Sequence, residues 1–251
     1  MKLKVKIDNV PFGTNIQDIK VPDILKKKVA TGLDYFDCIL GGEGFTPSMV
    51  SLFTGTPGAG KTTMMLSLAN SLQGNGAQVI FNTAEESLFQ IKMTVDRLRL
   101  KHKFAVGGEE NVIKLLEGCD KIRKASPEKS FFLIVDSLQC MDDGHFKNGR
   151  ITSHTAERAL GMLTDYAKEH AVNVIVIGQV TKDGKMAGSN KLKHMVDSHI
   201  HLSVEEKDPD LAGCRVLMSL KNRFGGGGHI VFLNLKRSGF SEVARLSSSG
   251  V

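Results

Sequence analysis

Residues 55–62 carry the most chemically specific pattern in this chain. They read Gly-Thr-Pro-Gly-Ala-Gly-Lys-Thr, a full match to the pattern G-x-x-x-x-G-K-S/T. Glycines at this spacing let successive backbone N–H groups point at a polyphosphate, while the lysine reaches the β- and γ-phosphates and the threonine hydroxyl binds Mg²⁺. The pattern predicts a nucleotide site formed by Gly55, Thr56, Pro57, Gly58, Ala59, Gly60, Lys61, Thr62 and Thr63.

Acidic and amide residues follow three other apolar, strand-like segments. Glu85 and Glu86 follow the first of these, Asp136 the second and Gln179 the third. We expect them near the phosphate loop, because parallel strands present their carboxyl ends at the edge where α/β sheets bind ligands. Asp136 is predicted to complete the metal shell with Thr62. Glu85 is predicted to polarise water, Gln179 to contact the γ-phosphate, and Glu86 to start the next helix.

Two glycine-containing loops carry clusters of basic side chains. One follows Asp136 and spans 141–152, and the other spans 181–193, beyond Gln179. Basic loops at the nucleotide edge suit contact with a phosphodiester backbone, although solvated surface loops have the same composition. The predicted nucleic-acid contacts are Lys147, Arg150, Lys182, Lys185 and Lys191.

Lys221 and Arg223 stand at the end of a late apolar, strand-like segment. An arginine in that place can pair with a carboxylate of its own chain. It can also reach the γ-phosphate held by a neighbouring subunit and stabilise the charge that develops during transfer. The sequence leaves both interpretations open.

Alternating apolar strands and amphipathic helices position these residues. Strands are predicted at 49–54, 78–82, 131–135 and 172–177, with helices at 61–73, 86–99, 109–125 and 154–169. This order predicts an α/β fold with a mostly parallel central sheet and helices on both faces. Three later strand-like runs, at 199–204, 214–221 and 229–235, are interpreted as an antiparallel edge. We expect a basic lead-in at 1–30 and one domain at 31–251.

Composition narrows the environment in which the chain works. Its 251 residues carry a formal net charge of +6, which favours a polyanionic partner. No apolar run reaches the roughly 20 residues that cross a bilayer, and the first residues lack the apolar core of a signal peptide. We therefore expect a cytoplasmic protein with no membrane partner.

Several longer segments resemble RecA-like ATPases. Residues 30–42 resemble the entry to the phosphate loop in that family, 81–87 the strand ending in Glu-Glu-Ser, and 135–139 the second acidic strand. Residues 179–184 and 194–197 are similar to the DNA-facing loop and the element after it. Lys-Asn-Arg-Phe-Gly at 221–225 narrows the resemblance to the RadA (Sms) branch, over roughly residues 28–246.

The resemblance implies a RecA-like P-loop NTPase that uses ATP and Mg²⁺ at the interfaces of a homo-oligomeric, hexameric ring. Catalytic roles are implied for Lys61, Glu85, Gln179, Lys221 and Arg223, the last two acting on the neighbouring subunit. It also implies a motor on single-stranded DNA that serves DNA recombination and repair by branch migration or unwinding. A recombinase or replication protein is a further expected partner.

The chain also departs from the RadA pattern. It has no C-x-x-C pair for the zinc module of that branch, ends soon after 241–243 where a Lon-like domain is usual, and has Gln179 where His is more frequent. We therefore expect the ATPase core only. The alternatives are a KaiC-like regulatory ATPase, a DnaB-type replicative helicase core and a binding module without hydrolysis. The last is disfavoured because Glu85, Asp136 and Gln179 are all present.

Overall fold

A computed structural model describes residues 10–144, 153–179 and 191–246. Nine strands in these residues form one sheet in the order β3-β2-β4-β5-β1-β6-β7-β8-β9. The strands are β1 Val50–Gly55, β2 Gln78–Thr83, β3 Ala105–Gly107, β4 Phe131–Asp136, β5 Asn173–Gln179, β6 Ser198–Val204, β7 Arg215–Asn222, β8 Ile230–Lys236 and β9 Gly239–Leu246. The strands β1 to β6 pair in parallel, and β7, β8 and β9 add to them in antiparallel fashion.

Seven α-helices lie in the described residues. They are α1 Asp23–Lys26, α2 Asp34–Ile39, α3 Lys61–Gly74, α4 Leu88–Leu98, α5 Val112–Lys124, α6 Ser153–His170 and α7 Lys191–Met195. Short 3₁₀ turns occur at Ile16–Asp18 and Leu138–Cys140. Ser87 caps α4 through a reciprocal capping box with Gln90, and the Asn111 side chain caps α5.

The core has two layers, one on each face of the sheet. Adjacent residues of β1 point in opposite directions, so that Phe53 packs into the layer containing α3 and Leu52 into the layer containing α5 and α6. The four strands β1, β2, β4 and β5 have almost no exposed position. Burial on both faces explains why they are continuous apolar runs in the sequence.

The predicted fold class is confirmed, with three differences in detail. The run Ser198–Val204 was expected in the antiparallel edge, yet it pairs in parallel with β1 and only then with β7. The strands Ala105–Gly107 and Gly239–Leu246 were not predicted, because the first is short and the second is exposed along most of its length. In the predicted helix 86–99, Leu88 stands at helical spacing with Ile91 and Leu98, yet it is 43% exposed at the first position of α4.

The N-terminal segment 10–28 lies outside the core. It includes the exposed apolar residues Phe12, Ile16 and Ile24, and the segment joins the domain where Lys28 pairs with Glu43 and Val29 bridges to Phe45. The division at residue 30 stays a prediction. Across residues 10–144, 153–179 and 191–246, no helix combines the length and hydropathy that a bilayer-spanning segment requires.

Candidate active site

The phosphate loop occupies the connection between β1 and α3. β1 ends at Gly55 and α3 begins at Lys61, so the loop's backbone and the first turn of the helix lie at the carboxyl edge of the sheet. Gly58 and Gly60 adopt positive φ angles of 75° and 102°, which favour glycine because a side chain there crowds its own carbonyl. These turns leave the free N–H groups of α3 facing outward, where an anion is stabilised.

Lys61 is held across the mouth of this loop. Its Nζ donates to the carbonyl oxygens of Gly55 at 3.0 Å and Thr56 at 3.3 Å. Burial lowers the pKa of Lys61, and the carboxylates of Asp136 and Glu85 oppose that shift. The ammonium is therefore already oriented inside the pocket, next to the acidic groups of the sheet edge.

Thr62 and Asp136, the two residues predicted to bind the metal, are in direct contact. The Thr62 hydroxyl donates to Asp136 Oδ2 at 2.8 Å, although β5 lies between β4 and β1 in the sheet. Burial raises the pKa of Asp136 to about 6; the Thr62 hydrogen bond opposes the shift, and the nearby Glu85 and Glu86 add to it. Both oxygens are the hard ligands that Mg²⁺ prefers, and a buried carboxylate among other carboxylates favours a nearby cation.

Glu85 and Gln179 meet across the same edge. The Gln179 side-chain amide donates to Glu85 Oε1 at 2.9 Å, and the Gln179 backbone N–H donates to Gln139 Oε1 at 3.2 Å. Glu86 lies in a turn closed by the Thr83 hydroxyl, which accepts from the Glu86 backbone N–H at 2.9 Å. The helix was expected to start at Glu86 but begins two residues later, after its Ser87 cap.

One cavity of about 440 Å³ connects these groups. Pro57, Gly58, Gly60, Lys61, Thr62 and Thr63 line one side, and Glu85, Glu86, Asp136, Ile177 and Gln179 line the other. A Cβ added at Gly58 would meet nothing within 4 Å, so the space in front of the loop is open. The donors of the loop, a lysine and paired oxygen ligands fit the phosphates of a nucleotide together with Mg²⁺.

The β8–β9 hairpin closes the back of the phosphate loop, a contact that sequence reasoning missed. A Cβ added at Gly60 would lie 2.9 Å from Leu235 Cδ2 and 3.0 Å from Phe240 Cζ. Beside it, Arg97 donates to the Thr63 hydroxyl at 3.3 Å and to the Arg237 carbonyl at 3.0 Å. No local pattern indicates these contacts, because the hairpin lies far along the chain.

A second contact that the sequence did not indicate lies below the loop, between β1 and β6. The buried Thr54 hydroxyl is 2.8 Å from His199 Nε2 and 2.9 Å from His201 Nδ1. Burial lowers the pKa of both imidazoles, that of His199 to about 4, and the cations Lys193 and Lys61 lower that of His201 further. Neutral imidazoles are therefore preferred next to the strand that ends in the phosphate loop.

The structure places Lys221 and Arg223 at the opposite edge of the sheet. Ser198 pairs with both Ser51 and Asn222, so β7 ends level with the start of β1. Lys221 Nζ donates to the carbonyls of Lys193 at 2.9 Å and Val196 at 2.7 Å. Arg223 donates to Asp197 Oδ1 at 3.2 Å while its side chain stays 51% exposed. The sequence left two roles open for Arg223, pairing within its own chain or reaching a neighbouring subunit. In the single chain it pairs with Asp197 of its own chain.

The predicted DNA contacts fall mainly outside the described residues. Lys147, Arg150, Lys182 and Lys185 lie in 145–152 and 180–190, which the structure does not describe. Lys191, the first residue of α7, is described; its Nζ donates to Glu157 Oε2 at 2.9 Å and its side chain is 67% exposed. Lys191 is thus accessible but engaged in an ion pair.

A phosphate loop after the first strand of a mostly parallel sheet, with acidic side chains on neighbouring strand ends, defines a RecA-like P-loop ATPase core. Comparison with known proteins agrees: the family model described as "ATPase: KaiC" matches residues 29–130. The DNA repair protein RadA of Aquifex aeolicus is 30% identical over 223 residues, and that of Helicobacter pylori is 31% identical over 248 residues. The resemblance to the RadA branch is therefore confirmed.

These alignments cover most of this chain but about half of each relative. The Aquifex alignment spans 88% of the chain and 48% of the relative, and the Helicobacter alignment spans 98% and 52%. Among solved structures, a KaiC-like protein of Pyrococcus horikoshii superposes with a TM-score of 0.69 at 20% identity, over 86% of this chain and 99% of its own. A DnaB-like replicative helicase gives 0.74 at 16%, over 85% of this chain and 61% of its own. At these identities the structural matches establish the fold alone.

Proposed function

We propose that this chain is an ATP-dependent motor on single-stranded DNA, acting in recombination or repair by branch migration or unwinding. The observation that carries the proposal is the meeting of Thr62 with Asp136 and of Glu85 with Gln179 in one cavity beside Lys61. Relatives named DNA repair protein RadA support the DNA substrate. A binding module has no need for two such pairs at its nucleotide edge.

Within one chain, the residues divide the work of phosphoryl transfer. The loop's N–H groups and Lys61 hold the phosphates, and Thr62 and Asp136 would hold Mg²⁺, which neutralises charge on the phosphate oxygens when bound. Glu85 orients the attacking water and, as general base, accepts the proton that the water loses. The Gln179 amide turns from Glu85 toward the γ-phosphate, and since it ends β5, this movement reaches the loop that follows.

A neighbouring copy completes the site in this proposal. Ser51 of β1 is level with Asn222, between Lys221 and Arg223, and lies about 13 Å along the strand from Gly55, since each residue of a strand advances about 3.3 Å. Arg223 is therefore on the wrong edge to serve its own pocket. In a head-to-tail ring that edge faces the next copy's nucleotide, as a heterologous interface requires. Ring size, including the expected hexamer, is part of the proposal.

Contact with single-stranded DNA is assigned to the two basic loops. Lys147, Arg150, Lys182, Lys185 and Lys191 supply the cations, and the net charge of +6 favours the polyanion. DNA phosphates would compete with Glu157 for Lys191. A recombinase or replication protein as a further partner, and a cytoplasmic location, stay predictions.

An ATPase titration tests the proposal. Turnover is measured with and without a single-stranded oligonucleotide across a series of salt concentrations, with Lys61→Ala as the blank. We expect stimulation by DNA that weakens steeply with salt, because binding releases counterions from the strand. ATP hydrolysis that ignores DNA at every salt concentration contradicts the motor.

A KaiC-like regulatory ATPase is the second candidate. The family model over residues 29–130 and the KaiC-like fold neighbour favour it. It predicts nucleotide turnover without DNA stimulation and a protein partner that binds one nucleotide state, so the same titration separates the two functions. A DnaB-type helicase core shares the chemistry of the first candidate and differs in its partner.

A further inference from the structure

Asp197 joins three parts of the fold through one carboxylate. Its side chain is only 7% exposed, and Oδ2 accepts from Lys168 Nζ at 2.6 Å and from the Val50 backbone N–H at 3.0 Å. Oδ1 accepts from Arg223 Nη1 at 3.2 Å. The Asp197 backbone adds a donor to the Val50 carbonyl at 2.8 Å and an acceptor for the Arg223 N–H at 3.1 Å.

Lys168 makes the buried charge of Asp197 tolerable. The lysine is itself 7% exposed, and its Nζ also donates to the Ser48 carbonyl at 2.7 Å. A buried carboxylate needs a charged partner, and Lys168 fills that need with nearly ideal contacts. Arg223 is therefore not required to neutralise Asp197, which explains how its side chain can remain half exposed in spite of the contact.

The backbone around Arg223 is fixed on its other side as well. The Asn222 side chain donates to the Leu40 carbonyl at 3.0 Å and accepts from the Phe224 N–H at 3.0 Å. A Cβ added at Gly225 would lie 2.7 Å from the Leu40 carbonyl oxygen, so the chain passes too close to α2 for a side chain there. The main chain is held, and the guanidinium is the part left free to reorient.

The same carboxylate touches the strand that carries the chain's own phosphate loop. Val50 begins β1 and Gly55 ends it. Asp197 therefore accepts a hydrogen bond from one end of the strand whose other end enters the nucleotide pocket. Arg223 and β1 thus share a single buried anchor. Loss of that anchor can act in two directions, on the pocket of the same chain or on the arginine offered to the next.

We propose that Asp197, supported by Lys168, is a positioning residue that presents Arg223 to the nucleotide of the neighbouring copy. This inference rests on the proposed function, in which Arg223 acts between subunits. It predicts that removing the carboxylate disables the edge of the subunit that carries Arg223 and leaves the same subunit's nucleotide pocket intact. If Asp197 only stabilised the fold, its removal would impair the Arg223 edge and the nucleotide pocket of the subunit alike.

A subunit-mixing experiment shows which of the two parts of the subunit, the Arg223 edge or the nucleotide pocket, is impaired. Lys61→Ala keeps the Arg223 edge but has no working pocket, and Arg223→Ala keeps the pocket but not the edge. Each is inactive alone, and their equimolar mixture should recover about a quarter of wild-type DNA-stimulated ATPase activity, because a random head-to-tail contact joins the two intact halves one time in about four. Failure of this reference mixture contradicts the shared site itself, and the inference falls with it.

Asp197→Asn is then mixed with each reference variant. We expect it to lose at least about tenfold in activity alone, a loss of about 1.4 kcal/mol in transition-state stabilisation. Its mixture with Lys61→Ala should recover activity, and its mixture with Arg223→Ala should not. Recovery with Arg223→Ala instead means that the pocket was damaged through β1, which overturns the inference. Activity in neither mixture also overturns it, since it indicates a general folding role.

Two further variants keep the result independent of folding. The double variant Lys168→Met with Asp197→Asn removes both buried charges together, so neither is left unpaired, and it should give the same mixing pattern as Asp197→Asn. Asp120→Asn is the matched control, because Asp120 is a carboxylate paired with Arg123 and Lys124 of its own helix α5 and shares no partner with Asp197. It should retain activity without mixing; a loss as large as that of Asp197→Asn contradicts the specific role of Asp197.

Discussion

The Gln179 amide and the Glu85 carboxylate lie 2.9 Å apart, although 94 positions separate them in the sequence. The hydrogen bond joins the end of β5 to the loop that follows β2, across the intervening β4. It holds the residue assigned to the water next to the residue assigned to the γ-phosphate. In the proposed function the γ-phosphate would offer Gln179 a competing acceptor, so we expect this contact to change with nucleotide state.

Replacing Glu85 with Gln should abolish turnover and preserve binding. Glu85→Gln keeps the shape of the side chain and its contact with Gln179 but removes the charge that polarises water. We expect turnover to fall by about 10² to 10⁴, the usual worth of a general base, with nucleotide affinity close to wild type. Steady-state ATPase assays and titration with a fluorescent ATP analogue measure the two effects.

Glu86→Gln is the matched control for Glu85. The Thr83 contacts of Glu86 involve only its backbone N–H and carbonyl, so the substitution should leave turnover within a small factor of wild type. Equal losses for the two variants contradict the assignment of the water to Glu85.

Asp136→Asn should stabilise the protein when nucleotide and metal are absent. The pKa of Asp136 is about 6 in the folded chain, above the value of 3.8 expected when unfolded. The stabilising effect of its protonation is complete below pH 3.8 and is lost as the pH rises through about 6. At pH 7.5 the variant should gain on the order of 1–3 kcal/mol in free energy of unfolding.

Urea unfolding in the presence of a chelator, at pH 7.5 and pH 4.5, measures this effect. The gain should shrink at the lower pH, where the wild-type carboxyl is mostly protonated, and Mg²⁺-dependent nucleotide binding should weaken in the variant. A variant less stable than wild type at pH 7.5 rules out the burial penalty as the dominant influence on Asp136.

His199 should make the folded state sensitive to acid. Its pKa falls from 6.5 to about 4 on burial, so its contribution to stability is present above pH 6.5 and is lost as the pH falls toward 4. The loss for this one group is at most about 3 kcal/mol. His199→Gln keeps a hydrogen-bonding side chain for Thr54 and cannot titrate, so its stability should change less between pH 7 and pH 4.5.

The exposed His102 provides the control for that comparison. Urea unfolding at the two pH values is the measurement. His102→Gln should follow the wild-type pH dependence. A His199→Gln profile that superposes on the wild type would show that protonation of this imidazole does not oppose folding.

Gly60→Ala should destabilise the domain more than Gly58→Ala. Both glycines have positive φ, so each alanine incurs about 1–2 kcal/mol of backbone strain. Only at Gly60 does the new Cβ also press on Leu235 and Phe240, which adds about 1–3 kcal/mol. Thermal and urea unfolding of the nucleotide-free variants compare them; equal losses would mean that the β8–β9 hairpin yields without cost.

Much of the fold could be predicted because its signals are local. Four buried strands are apolar runs, and helices such as α5 show an apolar stripe that needs no knowledge of the rest of the chain. The antiparallel pairing of the run Ser198–Val204 with β7 was predicted, but its parallel pairing with β1 was missed, because a strand's own residues do not record the direction of its neighbour. β9 was missed because most of its side chains are exposed, which removes the alternation that marks a strand.

The sequence alone was enough to predict the ligand class and the loop that would hold it, because eight consecutive positions contain the complete phosphate-loop pattern. The tertiary structure decided which distant residues become partners. Thr62 with Asp136, Gln179 with Glu85 and Asp197 with Arg223 meet only because of the strand order and direction of one sheet. Strand order depends on packing across the whole domain, so no short stretch of residues can encode it.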